Sequence, residues 1–218
     1  MKSRHTAGML IAGTDRLDVI RRWPRLHARK WATQMVAELS ALPGTLAIVA
    51  VGSAVRDVAR SADVDFVVIH EGLRPRLLNR PIDVDVRLYT RERAEELAAQ
   101  GNDYVVWAIR LGAIVYDRGE YWERLRERWL DAAPWPSAVE SEKRADRACK
   151  YLGELSAMGD TEAALEQRIS MLTNLARAKL LRGGDFPASR PELPTQLRQI
   201  GAEELADQLE AALALETD

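Results

Sequence analysis

Cysteine and histidine are scarce in this chain. Cys149 is the only cysteine among 218 residues, and the three histidines, His5, His27 and His70, are widely separated. One cysteine cannot form an intramolecular disulfide framework or a multi-cysteine zinc site, and three scattered histidines do not suggest a metal cluster. The sequence therefore excludes the disulfide-rich class of small proteins and gives no sign of a zinc centre.

Long apolar runs and a strong net charge are also missing. No run approaches the roughly 20 residues that span a bilayer, and the N-terminus has no secretory hydrophobic region. We therefore expect a cytoplasmic protein without a membrane partner. The net charge of −2 offers no overall attraction for nucleic acid, so any polyanion site must be a local patch. The hydrophobic fraction of 47% and the charged fraction of 29% are typical of a globular protein with one large domain or two small ones.

Short apolar runs in the first half of the chain predict a sheet. The predicted strands cover residues 46–51, 63–69, 82–89 and 113–116. Helical patterns lie between them at 91–100 and 104–111. An amphipathic helix over 26–42, ended by Pro43-Gly44, precedes the first strand and is expected to cover one face of the sheet. These patterns predict an α/β or α+β domain over residues 1–132.

The second half of the chain has no strand-like run after Asp131. The segment 133–136, Ala-Pro-Trp-Pro, is a rigid connector, and apolar residues then recur with a period near 3.6. Asp160 is placed as the N-cap of one long helix, and Gly183-Gly184 ends that helix. The tail over residues 137–218 is therefore predicted to be an all-α helical bundle.

A Gly52-Ser53 turn follows the first predicted strand and opens a short predicted helix. Glycine lets the backbone approach a ligand closely, and free N–H groups at a helix start favour an anion, so a phosphate is the natural ligand. Arg56 lies one turn further on and can offer a charge-assisted hydrogen bond. The alternative is a tight strand-to-helix turn that needs glycine for its geometry and serine as a cap.

Two carboxylates are predicted on one face of the second strand. Asp63 and Asp65 are two residues apart, and alternate residues of a strand share a face. Paired acids repel unless a cation lies between them, and carboxylates together with a substrate phosphate suit Mg²⁺. Asp63 alone is typical of a solvated residue at a strand end. Asp65 lies inside an apolar run, where a carboxylate requires a metal or a hydrogen-bond donor.

A third acid lies on the next predicted strand, where acids and an arginine alternate with aliphatic residues. Asp83, Asp85 and Arg87 are expected on one face, a pattern that is also typical of a half-exposed antiparallel strand. If this strand lies beside the one that carries Asp65, one of its aspartates completes a three-carboxylate site for two metal ions. Such a site can lower the pKa of an attacking hydroxyl and neutralise the leaving group of a triphosphate.

Together these elements resemble the DNA polymerase β-like nucleotidyltransferase superfamily. The resemblance is carried by Val51-Gly52-Ser53, nine intervening residues, then Asp63-Val64-Asp65-Phe66, and by a following run at 84–90 that is similar to the strand bearing the family's third acid. It implies an α+β fold, with a small mixed β-sheet and flanking helices followed by the helical bundle. It also implies two Mg²⁺ ions, or Mn²⁺, held by Asp63, Asp65 and Asp85. Asp85 is the better match for the third acid, and Asp83 is the alternative.

The resemblance further implies transfer of a nucleoside monophosphate from an NTP to an acceptor hydroxyl, with release of pyrophosphate. Family frequency favours ATP as the NTP. Gly52 and Ser53 are then expected to grip the β- and γ-phosphates, with Arg56 as a further nucleotide-binding residue. Asp85 serves either as a metal ligand or as the base for the acceptor hydroxyl.

The tail resembles, in length and helical content, the bundles of kanamycin-nucleotidyltransferase-like proteins and of paired minimal-nucleotidyltransferase and HEPN proteins. It lacks the Arg-spacer-His element of HEPN ribonucleases, because no histidine follows His70. Ribonuclease activity is therefore not expected. The acceptor stays open between a tRNA end, a partner protein in a toxin–antitoxin pair, and a small molecule such as an aminoglycoside, and an oligomer is compatible with each. A second hypothesis is a non-catalytic, antitoxin-like binding subunit that acts through its helical tail.

Overall fold

The computed structural model describes residues 15–56, 58, 61 and 63–215. Within them, the four strands lie in the first part of the chain, with helices before, between and after them, and the second part contains helices and loops but no strand. The elements are α1 (Leu26–Ala41), β1 (Thr45–Val51), β2 (Val64–His70), β3 (Val84–Thr90), α2 (Arg91–Ala99), α3 (Asp103–Leu111), β4 (Ala113–Asp117), α4 (Tyr121–Trp129), α5 (Ala138–Met158), α6 (Thr161–Gly183), α7 (Leu193–Gln199) and α8 (Glu203–Leu215). All four predicted strands are confirmed, each with bounds within two residues.

The four strands form one mixed sheet in the order β3-β2-β1-β4. β1 pairs antiparallel with both β2 and β4, whereas β2 and β3 run parallel. A parallel pair needs a crossover of about a dozen residues, and residues 71–83 supply it. The sheet therefore places β3 directly beside β2, which is the arrangement that a three-carboxylate site requires.

Both faces of the sheet are covered. All seven residues of β1 are buried, as expected for a strand that packs on two sides. On one face Ile48 and Phe66 pack with Val36 of α1. On the other face Val49 and Val67 pack in a cluster formed with α2, α3 and α4. The prediction that the helix over 26–42 covers one face is confirmed, and Ala28, Ala32, Met35, Val36 and Leu39 are its buried side chains.

The helical region after the sheet forms a third apolar cluster. Ile169 and Leu180 of α6 pack against Leu193 and Leu197 of α7 and against Leu209 of α8. The predicted caps of α6 are confirmed at both ends. The Asp160 side chain accepts a hydrogen bond from the Ala163 N–H, and Gly184 closes the helix with φ +85°.

The predicted fold class, an α+β protein with a small mixed sheet and flanking helices followed by a helical bundle, is confirmed. The division into two domains, residues 1–132 and 137–218, stays a prediction. Residues 1–14 of the first predicted domain lie outside the described part of the chain. No helix in the described residues is both long enough and apolar enough to cross a membrane.

Candidate functional site

Asp65 and Asp85 are direct neighbours in the sheet. They are the second residues of β2 and β3, and the parallel register pairs them with each other. Neighbouring strands lie about 4.8 Å apart, and paired residues point to the same face. The two carboxylates therefore lie side by side on the face that α3 covers.

The Asp65 carboxyl is partly buried beside two other acids. Burial and then the charges of Asp63 and Asp85 raise its pKa to about 7, whereas Arg87 and Tyr104 act in the opposite direction. A raised carboxyl pKa means that the surroundings oppose the negative charge. A cation placed at this point would favour the ionised form.

Gly52 lies against the Asp65 carboxylate. Its φ of +82° belongs to a region that side chains rarely adopt, and a Cβ added here would lie 2.6 Å from Asp65 Oδ2. The backbone of the turn can approach the carboxylate this closely only because the residue is glycine. The helix predicted after the turn is a single 3₁₀ turn, Ser53–Val55, so the predicted helix start is three residues long and its dipole is small.

Ser53 connects this turn to the segment that carries Asp63. The Ser61 hydroxyl donates to the Asp63 carbonyl oxygen at 2.7 Å, and the Ser53 and Ser61 hydroxyls are 2.8 Å apart. Because Ser61 has one hydroxyl proton, Ser53 is the donor to Ser61. Asp63 itself is exposed and lies just before β2, since the strand begins at Val64.

Asp83 does not share the site of Asp65 and Asp85. It lies in the turn before β3, is buried, and its Oδ1 is 3.2 Å from His27 Nε2 on α1. The predicted common face of Asp83, Asp85 and Arg87 is therefore wrong for Asp83. The strand begins one residue later, at Val84, so the alternation of faces does not extend to Asp83.

Arginines surround the Asp85 carboxylate. Arg80 Nη1 donates to Asp85 Oδ1 at 2.6 Å, and Arg87 Nε lies 3.5 Å from Asp85 Oδ2. The Arg87 guanidinium in turn lies 3.7 Å from the centre of the Tyr104 ring, a cation–π distance. The described residues contain no group of three or more His, Cys, Asp or Glu side chains that converge closely enough to hold a metal ion.

Arg56 is engaged by the helical region. Its Nη2 donates to Glu192 Oε1 at 2.8 Å, and its Nε lies 3.1 Å from Glu192 Oε2. Glu192 also accepts a 2.5 Å hydrogen bond from the Ser189 hydroxyl. Burial alone would raise the pKa of Glu192, but the bonds from Arg56 and Ser189 outweigh it and lower that pKa. Arg56, the expected nucleotide-binding arginine, is therefore already held in an ion pair with Glu192.

A cavity of about 410 Å³ opens beside Asp65, between the sheet, α3 and the helical region. Gly52, Tyr104, Trp107 and Phe186 are among its lining residues. The charged lining residues in the described part of the chain are Asp65, Arg87, Asp103, Arg144 and Arg177. The site therefore combines an acidic end at the sheet with arginines from α5 and α6, in a volume that suits a small ligand.

Sequence reasoning missed the contribution of α3, α5 and α6 to this cavity. Tyr104, Arg144 and Arg177 are distant in sequence from the acids, and only the packing of the helices against the sheet brings them near. One local signal did exist. Arg177 stands between Ala176 and Ala178, which are both buried, so a charged residue interrupts a core-like segment of α6.

Comparison with known proteins adds little to this geometry. No protein-family model and no curated protein sequence matches the chain. Among solved structures, the chain is similar to a nucleotidyltransferase-like protein from Exiguobacterium sibiricum 255-15, with 18% sequence identity and a TM-score of 0.39. The match covers 85% of this chain and 71% of that chain.

Proposed function

We propose that the protein is a metal-dependent nucleotidyltransferase that transfers a nucleoside monophosphate from an NTP, with ATP as the expected donor, to an acceptor hydroxyl. One observation carries the proposal: Asp65 and Asp85 stand in register on parallel strands, with the Gly52 backbone against Asp65. Asp63 would be the third carboxylate of the site, since its charge raises the pKa of Asp65.

The chemistry of the carboxylates fits Mg²⁺ or Mn²⁺, which prefer carboxylate oxygens. In the described structure the three side chains do not converge closely enough to hold an ion, so metal binding requires them to move together. Asp63, Asp65 and Asp85 would hold two such ions. When bound, the ions would activate the acceptor hydroxyl and neutralise the leaving pyrophosphate. The Asp85 carboxylate already accepts a hydrogen bond from Arg80, so its use as a ligand requires it to leave that arginine.

The turn after β1 supports the phosphate end of the proposed site. Gly52 has no side chain to obstruct a ligand next to Asp65, and the Ser53 hydroxyl fixes the segment that presents Asp63. We assign the β- and γ-phosphates to Gly52 and Ser53. Arg56 can add a charge-assisted hydrogen bond when it exchanges Glu192 for a phosphate.

The test of this proposal is transfer of label from α-labelled NTPs in the presence of Mg²⁺. Total tRNA, aminoglycosides and the product of the neighbouring gene serve as acceptors. The wild-type protein is expected to label one of them, and Asp65→Asn to lose about 10³-fold or more in rate, because an electrostatic group at the reacting centre is removed. Asp83→Asn is the matched control and should retain activity. Absence of label on every acceptor would count against the proposal.

A second candidate is a non-catalytic binding subunit, and one feature favours it. Asp85 and Arg56, both assigned to the reaction, are already ion-paired with Arg80 and Glu192. In that case Asp65→Asn would leave both nucleotide binding and the cellular phenotype unchanged. The enzyme proposal predicts the loss of both.

A further inference from the structure

Arg177 is a partly buried cation with no partner in the described part of the chain. It lies on α6 and lines the cavity together with Asp65. Two other arginines near the site are paired: Arg56 with Glu192 and Arg144 with Asp103. Arg177 makes no such ion pair or hydrogen bond with any residue that the structure describes, and it remains charged because a guanidinium does not lose its proton in proteins.

The charges around Arg177 leave it uncompensated. Burial and the neighbouring charge of Arg190 lower its pKa, Asp103 raises it, and Arg144 lowers it again. The one acid among these neighbours, Asp103, is already held by Arg144. A partly buried charge without a counter-charge destabilises a protein, so an anion in the cavity would be bound favourably.

We propose that Arg177, with Arg144 beside it, forms a phosphate-binding site at the helical end of this cavity. This inference rests on the proposed function, since the phosphate belongs either to the NTP or to a phosphate-bearing acceptor. The guanidinium fork matches two oxygens of a phosphate at once, which a lysine cannot do. Among the described lining residues, Arg144 and Arg177 form the helical end of the cavity while Asp65 lies at the sheet end, so the charge at the helical end favours an anion.

The arginines that line the cavity also narrow the choice of acceptor. An aminoglycoside carries several positive charges and would meet Arg87, Arg144 and Arg177 in this cavity. Like charges repel strongly where water is partly excluded. The site therefore favours a phosphate-bearing acceptor, such as an RNA end, over a polycationic antibiotic.

The experiment compares anion binding by the wild-type protein, Arg177→Met and a matched control. Methionine fills similar apolar space without the charge, and Lys179→Gln, at an exposed position on the same helix, removes a positive charge outside the cavity. The probes are inorganic tripolyphosphate in EDTA, Mg²⁺–ATP, and a short 5′-phosphorylated single-stranded RNA. Arg177→Met should weaken binding of at least one probe by about tenfold or more, whereas Lys179→Gln should stay near wild type.

The pattern of losses identifies the source of the phosphate. If Arg177→Met binds tripolyphosphate and ATP more weakly, Arg177 contacts the NTP. If the variant binds only the RNA more weakly, Arg177 contacts the acceptor. Wild-type affinity of Arg177→Met for all three probes would overturn the proposal. Binding of tripolyphosphate in EDTA needs no metal, so this result is independent of the transfer assay. A protein that fails to transfer label can still bind an anion at Arg177.

Thermal stability separates this role from a structural one. If Arg177 is an uncompensated charge, Arg177→Met should keep or raise the Tm of the ligand-free protein. A large drop in Tm would show that Arg177 supports the fold, and would count against the site. Should Arg177→Met fail to fold, Arg177→Lys replaces it, and unchanged affinity for every probe in that variant would also contradict a fork-shaped contact.

Discussion

Gly52 and Asp65 are coupled at the scale of single residues. The carboxylate occupies the space that a side chain at position 52 would need, and the glycine adopts a φ that side chains rarely adopt. The two residues are 13 positions apart, yet they meet because Val51 and Asp65 are paired across β1 and β2. The turn and the acid therefore act as one unit.

Gly52→Ala is expected to displace the Asp65 side chain. The substitution should lower the free energy of unfolding by about 1–3 kcal/mol, because alanine is strained at this φ, and it should also abolish Mn²⁺ binding. Gly72→Ala is the control, since Gly72 has φ +71° but open space around its Cβ position. It should show a comparable loss of stability with unchanged Mn²⁺ affinity. Equal Mn²⁺ affinity in both variants would mean that Gly52 does not position the acid.

The pKa of Asp65 predicts a pH dependence of stability. With a folded-state pKa of about 7, Asp65 keeps its proton in the folded protein while the unfolded chain has lost it. Stability contributed by this residue is therefore present below about pH 4, falls as the pH rises, and is lost above about pH 7.

Asp65→Asn removes this dependence. In metal-free buffer, the free energy of unfolding of the variant minus that of wild type should increase by about 2–4 kcal/mol as the pH is raised from roughly 4 to 8. Chemical denaturation at each pH measures this difference. Asp146→Asn, at an exposed position on α5, is the control and should change the free energy of unfolding by less than about 0.5 kcal/mol at both pH 4 and pH 8. A constant difference between Asp65→Asn and wild type at all pH values would contradict the raised pKa.

Among the helices and strands, local sequence patterns predicted the features that depend on short-range interactions. The runs of β1 and β2, the Asp160 cap and the amphipathic face of α1 follow from alternation, capping and helical period, and all are confirmed. The parallel pairing of β2 with β3 could be stated only as a condition, because strand order depends on contacts across the whole sheet. The start of β3 at Val84 moved Asp83 away from the site, into a turn in which the Val84 N–H donates to the Pro81 carbonyl oxygen.

The Arg56–Glu192 pair joins the turn after β1 to the segment just before α7. Both side chains are about two-thirds or more buried, and the contact is bidentate. A double-mutant cycle with Arg56→Gln and Glu192→Gln should give a coupling free energy of about 1–2 kcal/mol. The exposed Lys143–Glu140 pair on α5 is the control, and its coupling should be clearly smaller, because water screens exposed charges. Equal couplings would show that the Arg56 contact has no special role in joining these elements.

At the scale of the whole molecule, the site is made by the helical region as much as by the sheet. Arg144 and Arg177 reach the cavity from α5 and α6, and Arg144 is ion-paired with Asp103 of α3. The Arg110 guanidinium lies 5.1 Å from the ring centre of Phe186, which adds a cation–π contact between the same two regions. Sequence reasoning found the acidic end of the cavity from spacing alone. It could not find the basic end, since Arg144 and Arg177 are brought to the cavity by the packing of α5 and α6 and no local spacing relates them to the acids.

We propose that Asp65 and Asp85 together bind a divalent cation with a nucleotide. Titration of Mn²⁺ in the presence of a non-hydrolysable ATP analogue, followed by electron paramagnetic resonance, tests it directly. Asp65→Asn and Asp85→Asn should each weaken Mn²⁺ binding by about tenfold or more, because each removes a charged oxygen ligand. Asp83→Asn, which changes the acid that lies beside His27, should bind as the wild type does. Wild-type Mn²⁺ affinity in Asp85→Asn, or a loss of affinity confined to Asp83→Asn, would show that Asp65 and Asp85 do not form the metal site.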